Sequence, residues 1–205
     1  LCLENTLGGR LMPMAHLRDA TALARRHGLA THLDGARLFN AAVGLGGDPR
    51  ANAREMAELF DSVSVCFSKG LGAPAGSALV GSAELIARAK RVRKMAGGTM
   101  RQAGILAAAA MHALDHHIDR LADDHARARR LAEGLQGLPG VTVQMPQTNM
   151  VFIDLPRERA AAAVAALREQ GVLSTGLYQL RLVTHLDVND EQIDQAIAAL
   201  RRALH

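Results

Sequence analysis

The sequence has very little to stack with. Of its 205 residues, aromatics make up 2%: four Phe, one Tyr and no Trp. Proteins that hold single-stranded nucleic acid need such rings as stacking platforms, so that class is disfavoured despite a formal net charge of +4. The positive charge is also diluted by acids along helix faces, as in Asp123-Asp124 ahead of Arg127, Arg129 and Arg130. That mixture marks a solvated face rather than a binding stripe. Cysteine is equally scarce. Cys2 and Cys66 fall in apolar, strand-like runs and give neither a disulfide framework nor metal-ligand spacing. They are expected as buried, inert thiols in a reducing compartment, which points to a cytoplasmic protein. No apolar run reaches the length of a membrane span, and no signal-peptide pattern is present. Internal repeats and low-complexity segments are missing too. With few rings available, packing falls to Ala and Leu. A hydrophobic fraction of 49% still allows a sizeable core, and this composition favours helices over a β-sandwich.

What is there alternates. Leu1–Leu3 reads as the end of a strand, without an initiator Met, so the chain is expected to be truncated at its N-terminus. A helix is predicted from Met14 to His27, stopped by Gly28, then a strand from Leu29 to Leu33 closed by Asp34-Gly35. Helices follow from Arg37 and over Ala53–Phe60. Val63–Phe67 is the kind of run that forms a strand buried on both faces. This rhythm implies parallel strands joined by right-handed crossovers. Ser77–Gly81 follows too closely for a crossover and should run antiparallel. A basic helix runs from Ala83 to Lys94, and a long Ala-rich stretch from Arg101 to Leu135 is expected to break near His116-His117. Beyond Leu138-Pro-Gly140 come short strands at Val141–Met145, Met150–Leu155, Val172–Thr175 and Leu180–Thr184. Helices at Glu158–Gln170 and Asp190–Leu204 accompany them. These imply a smaller α+β domain. The division falls into residues 1–102 and 103–205.

The stretch from Ser64 to Ser77 concentrates the chemistry. A lysine at the carboxyl end of a buried strand sits where open α/β sheets place ligands. Desolvation there lowers an amine pKa from about 10.4, readying it to attack a carbonyl and form a Schiff base. The plain alternative is that Lys69 ends a strand and points into water. Asp34 ends the preceding strand, and parallel strands put both residues at one edge of the sheet. A lysine with an acidic partner suits pyridoxal phosphate, whose ring nitrogen needs a carboxylate to keep its proton. Asp34-Gly35 also reads as a tight turn. Arg37, at a helix start on the same rim, is placed to donate to the cofactor or polarise the substrate; otherwise it is a surface arginine. Arg181 lies between apolar neighbours in a strand, and its fork matches a carboxylate, though an edge-strand charge is the simpler reading.

His32-Leu-Asp-Gly-Ala-Arg-Leu-Phe-Asn-Ala41, Ser64 to Ser77, Arg93 to Gly98, Met100-Arg-Gln102 and Arg181 to Asp187 together resemble the low-specificity L-threonine aldolases. These are fold-type-I pyridoxal-phosphate enzymes related to the aromatic β-eliminating lyases. The resemblance runs nearly end to end, with the motifs in the family's order. It implies an α/β fold: part of a fold-type-I cofactor domain with a mostly parallel sheet, plus a smaller C-terminal α+β domain. It implies Lys69 as the Schiff-base lysine with Ser68 beside it, Asp34 at the pyridine nitrogen and Arg37 at the 3′-oxygen. Arg101 would reach a phosphate across a dimer interface. Arg181, Lys94 and Asn5 would attend the amino-acid substrate. Leu7 stands where the family often has His, after Glu4-Asn-Thr6, which touches substrate preference. The implied reaction is retro-aldol cleavage of L-threonine or L-allo-threonine to glycine and acetaldehyde, in a homotetramer built as a dimer of dimers. No metal, nucleic acid or membrane partner is implied. In the family, the histidine that packs on the cofactor and the Gly-Thr phosphate loop lie ahead of Leu1. The rival readings are another fold-type-I activity such as a β-eliminating lyase, and a non-catalytic fragment.

Overall fold

The computed structural model describes residues 1–175 and 179–204. The chain divides into two compact units, Leu1–Leu121 and Ala122–His205. The second runs through residues outside the described set. The boundary lies further along than residue 102 because the Ala-rich helix after it belongs to the first unit. Ala113, Ile118 and Leu121 are buried in one cluster with Leu71 and Ala73.

In the first unit, β1 (Cys2–Glu4), β2 (His32–Gly35), β3 (Ser62–Cys66) and β4 (Ser77–Gly81) form one sheet in that order. The first three are parallel, with Glu4 opposite Asp34 and Asp34 opposite Ser64. The fourth runs antiparallel to β3, as its short connection requires. Helix α1 (Met14–Arg26) joins β1 to β2, burying Leu17, Thr21 and Ala24 at helical spacing. Gly28, at φ +66, supplies the left-handed residue that ends it. Helices α2 (Leu38–Gly44) and α3 (Pro49–Glu58) join β2 to β3. Asp48 caps α3 by accepting the Arg50 N–H at 2.9 Å, and Pro49 occupies the first turn, where its missing N–H costs nothing. Leu17, Leu33, Met56 and Val63 form the centre of this core.

Helix α4 (Ala83–Met95) begins at Ser82, whose hydroxyl accepts the Leu85 N–H, and buries none of its residues. Helix α5 (Gly104–His116) follows. The expected break falls at residues 117–120, where Ile118 turns into the core and Asp119 accepts from Arg50.

In the second unit, β5 (Thr142–Gln144), β6 (Met150–Asp154) and β7 (Gln179–Val183) form an antiparallel sheet. Val151, Ile153, Leu180 and Leu182 join its core with residues of α6 (Leu121–Gly134), α7 (Arg157–Glu169) and α8 (Asp190–Leu204). A reciprocal pair of bonds starts α8. Asn189 accepts the Gln192 N–H and Gln192 accepts the Asn189 N–H, both at 2.9 Å.

Three expectations need correcting here. Val172–Thr175 forms no strand; only Thr175 bridges to Arg181. β3 is not covered on both faces: Val63 and Val65 are buried, while Ser62, Ser64 and Cys66 are partly exposed, the alternation of a strand packed on one side. The cysteines are not buried either. Cys2 is exposed and Cys66 half-covered, because both point to that less-packed side or to the strand's end.

Candidate active site

Parallel pairing decides where the polar strand ends gather. Because β1, β2 and β3 share a direction, Asn5, Gly35 and the residues after Cys66 all leave the sheet at its carboxyl edge. Asp34 is exposed at that edge, and its Oδ1 accepts the Ala36 N–H at 3.0 Å. Asp34-Gly35 is therefore the end of a parallel strand, not a hairpin turn. Gly35 is required by contact: a Cβ there would meet the Ser64 carbonyl at 2.8 Å, Val63 at 3.0 Å and Leu38 at 3.2 Å. Its bareness lets β3 and the start of α2 close around the aspartate-bearing end.

Lys69 follows β3 by three residues, in a loop that bonds to itself. Phe67 donates to Gly76 at 3.0 Å, Ala73 to Phe67 at 2.9 Å and Gly72 to Lys69 at 2.9 Å. The backbone of this loop is buried at Gly70, where a Cβ would meet Asn40 Oδ1 at 2.8 Å and Leu121 at 3.0 Å. The lysine itself stands exposed. The desolvation expected at the end of a buried strand is thus not supplied by this chain's own residues. Ser68 is exposed beside it, its Oγ 3.3 Å from Cys66 Sγ. Arg37 occupies the N-cap of α2, partly exposed. With Asn40, Cys66 and Gly70 it lines a cavity of about 10 Å³ between α2 and the lysine loop, room for about one water.

The remaining expected site residues lie elsewhere or do other work. Asn5 is completely buried. Its Oδ1 accepts the Met12 N–H at 3.0 Å, and its Nδ2 lies 3.4 Å from the Met12 carbonyl and from Met56 Sδ. That side chain clamps the loop from Thr6 to Met12 and is not presented to a ligand, which corrects the substrate-binding expectation for it. Lys94 is exposed on α4, and Arg101 is exposed in the turn before α5. In the second unit, Arg181 lies on the exposed side of β7. Its Nε donates to Thr175 Oγ1 at 3.3 Å, which aims the guanidinium. His32 Nδ1 bonds Ser62 Oγ at 2.9 Å, and His185 Nδ1 pairs with Asp187. A cleft of about 990 Å³ between β4 and α4, lined by Leu79, Ile86 and Val92 among others, includes none of the expected site residues. Among the described residues, no group of three or more His, Cys, Asp or Glu is placed to hold a metal.

His117 went unnoticed in the sequence as anything but a break. Its Nδ1 lies 2.6 Å from the Leu71 carbonyl, in the lysine loop. No spacing signals a bond that spans 46 residues.

The donor set suits pyridoxal phosphate: an exposed amine and an exposed carboxylate at the carboxyl edge of adjacent parallel strands, with an arginine on the same rim. The fold agrees. Leishmania major threonine aldolase superposes with a TM-score of 0.80 at 23% identity, over all of this chain and 60% of that one. Sphingomonas wittichii serine palmitoyltransferase does so with a TM-score of 0.72 at 22% identity, over 98% and 53%. These likenesses define the fold-type-I α/β class, as the sequence implied. Residues 1–158 match the beta-eliminating lyase family, and the chain belongs to it. Among curated relatives, a low-specificity L-threonine aldolase of Escherichia coli O157:H7 is 45% identical over 204 residues, covering all of this chain and 60% of the relative. Low-specificity L-threonine aldolase 1 of Arabidopsis thaliana is 39% identical over 214 residues, covering all of this chain and 59% of the relative. The chain thus spans about three-fifths of the length of these relatives.

Proposed function

We propose that the protein cleaves L-threonine and L-allo-threonine by a pyridoxal-phosphate-dependent retro-aldol reaction, releasing glycine and acetaldehyde. The observation that carries this reading is the placement of Asp34 and Lys69 at one edge of the parallel sheet, in a chain 45% identical to a relative named for this activity.

Bound pyridoxal phosphate would supply a ring that draws electrons from the substrate's Cα. The chain's residues would supply the rest. Lys69 would offer the amine that holds the cofactor. Asp34, held by the Ala36 N–H, would keep a proton on the ring nitrogen. Arg37, at the cap of α2, would donate to the cofactor's 3′-oxygen, and Ser68 would be a hydroxyl donor next to the lysine. Arg181, steadied by Thr175, receives the substrate carboxylate in its fork. Lys94 attends the substrate, and Arg101 serves a phosphate across a subunit boundary. We further propose a cytoplasmic homo-oligomer, a dimer of dimers. Met95, Met100, Ile105 and Met111 are exposed apolar side chains that such an assembly would cover.

The chain holds three lysines, Lys69, Lys90 and Lys94, which makes the test clean. Pyridoxal phosphate followed by borohydride should leave pyridoxyl label on Lys69, and L-threonine should yield acetaldehyde and glycine. Label confined to Lys90 and Lys94, or ammonia and a keto acid as products, would refute the reading.

A further inference from the structure

We infer that His117 is a positioning residue for Lys69, latching the lysine-bearing loop to the end of α5. The inference rests on the reading of Lys69 given above.

Between Cys66 and Ser77 the chain has no regular structure, and the three loop bonds from Phe67, Gly72 and Ala73 tie it only to itself. Apolar contact also holds it to the rest of the unit. Leu71 and Ala73 are buried with Ala113, Ile118 and Leu121. Apolar burial is non-directional: it holds a loop down without fixing the rotation of its peptide planes. A hydrogen bond does fix it. The bond between His117 Nδ1 and the Leu71 carbonyl sets the peptide two residues past the lysine. A carbonyl only accepts, so Nδ1 carries the proton and donates.

His117 is itself well placed to act as an anchor. It is the C-cap of α5, its N–H bonded to the Ala113 carbonyl at 2.9 Å. Ile118, next to it, is buried, and Asp119 receives Arg50 Nη1 at 3.0 and 3.1 Å. The His117 ring also meets His112 edge-on, centroids 5.2 Å apart, which restricts its rotation. The loop therefore hangs from a point fixed on three sides.

Geometry dictates the variants. The Asn Nδ2 occupies nearly the position of Nδ1 in His, whereas the Gln donor lies one atom further out and Leu has none. Two measurements on wild type, His117→Leu, His117→Asn and His117→Gln decide the matter, one made before pyridoxal phosphate is added and one after. Hydrogen exchange of the Gly72 amide should quicken about tenfold in the Leu and Gln variants and return to within about threefold of wild type in the Asn variant. The share of pyridoxyl label on Lys69, relative to Lys90 and Lys94, should fall and recover in the same order. Should the Leu variant not fold, the contrast between Asn and Gln decides alone. Equal exchange across the variants, or rescue by Gln instead of Asn, overturns the latch. Label on Lys69 that is constant across all four proteins overturns the positioning role while leaving the lysine's assignment intact. Absence of label from Lys69 in the wild type overturns the assignment and the positioning role together, whatever the exchange rates do.

Discussion

The two edges of the parallel sheet treat their polar groups in opposite ways. At the amino edge, between β2 and β3, Thr31 and Asp61 are paired with each other. Asp61 Oδ2 accepts the Thr31 N–H at 2.7 Å and the Thr31 hydroxyl at 3.0 Å, while the Asp61 N–H donates to Thr31 Oγ1 at 3.0 Å. These bonds to Thr31 hold the Asp61 carboxyl below the usual carboxylate range. At the carboxyl edge, Asp34 and Lys69 stand exposed. The same residue types thus fasten strands together at one end and face outward at the other. What separates the structural carboxylate from the one proposed to meet the cofactor is not its burial but how far the fold consumes its bonding capacity.

That contrast is open to direct attack. The largest effect is expected at Lys69. Lys69→Ala should abolish both labelling and threonine cleavage and leave the urea midpoint where it was, because an exposed amine contributes little packing. Asp34→Asn should lower activity roughly a hundredfold, the scale of losing one preorganised electrostatic partner, again with little change in stability. A sizeable stability change in either variant would erase the distinction between the edges.

The second unit offers a control that depends on burial. Desolvation pushes His125 down to about 4. Folding therefore holds this ring neutral in a range where the unfolded chain would protonate it. Stability should be unaffected above about pH 7 and should fall as the pH drops from 6.5 toward 4, by at most about 3 kcal/mol. His125→Gln should flatten that acid limb in urea titrations at pH 7 and pH 4.5. An unchanged limb would assign the loss to other groups. The smallest effect belongs to Asp61. Its folded pKa is depressed, so its contribution exists above the ordinary carboxylate pKa and fades as pH falls through the lowered value. Asp61→Asn should cost below about 1 kcal/mol at neutral pH, since water screens an exposed carboxylate, and nothing in strong acid. Equal losses at both pH values would show that the charge is irrelevant there.

Much of this was legible in the sequence, for reasons that can be named. The antiparallel turn of β4 followed from a connection too short to cross over. The α5–α6 break fell where His116-His117 and the residues beyond interrupt the apolar pattern, and α8 spans Asp190–Leu204 as its periodicity predicts. The shared edge of Asp34 and Lys69 followed from alternating strands and helices. What stayed hidden depends on partners distant in the chain. Asn5 reads as a polar loop residue, but Met12 and Met56 close over it. That the Ala-rich helix after residue 102 packs on the first unit is likewise hidden, because Ala113 and Ile118 find their apolar partners at Leu71 and Ala73. Val172–Thr175 has a strand's composition, yet only Thr175 finds a partner, at Arg181.

Gly35 carries a consequence for how this site tolerates change. A single hydrogen atom separates the backbone of one strand from the carbonyl of the next, so even a methyl group would wedge them apart just beneath the acid. Saturation mutagenesis at that position should return glycine and nothing else among functional clones, although the residue has no side chain to offer.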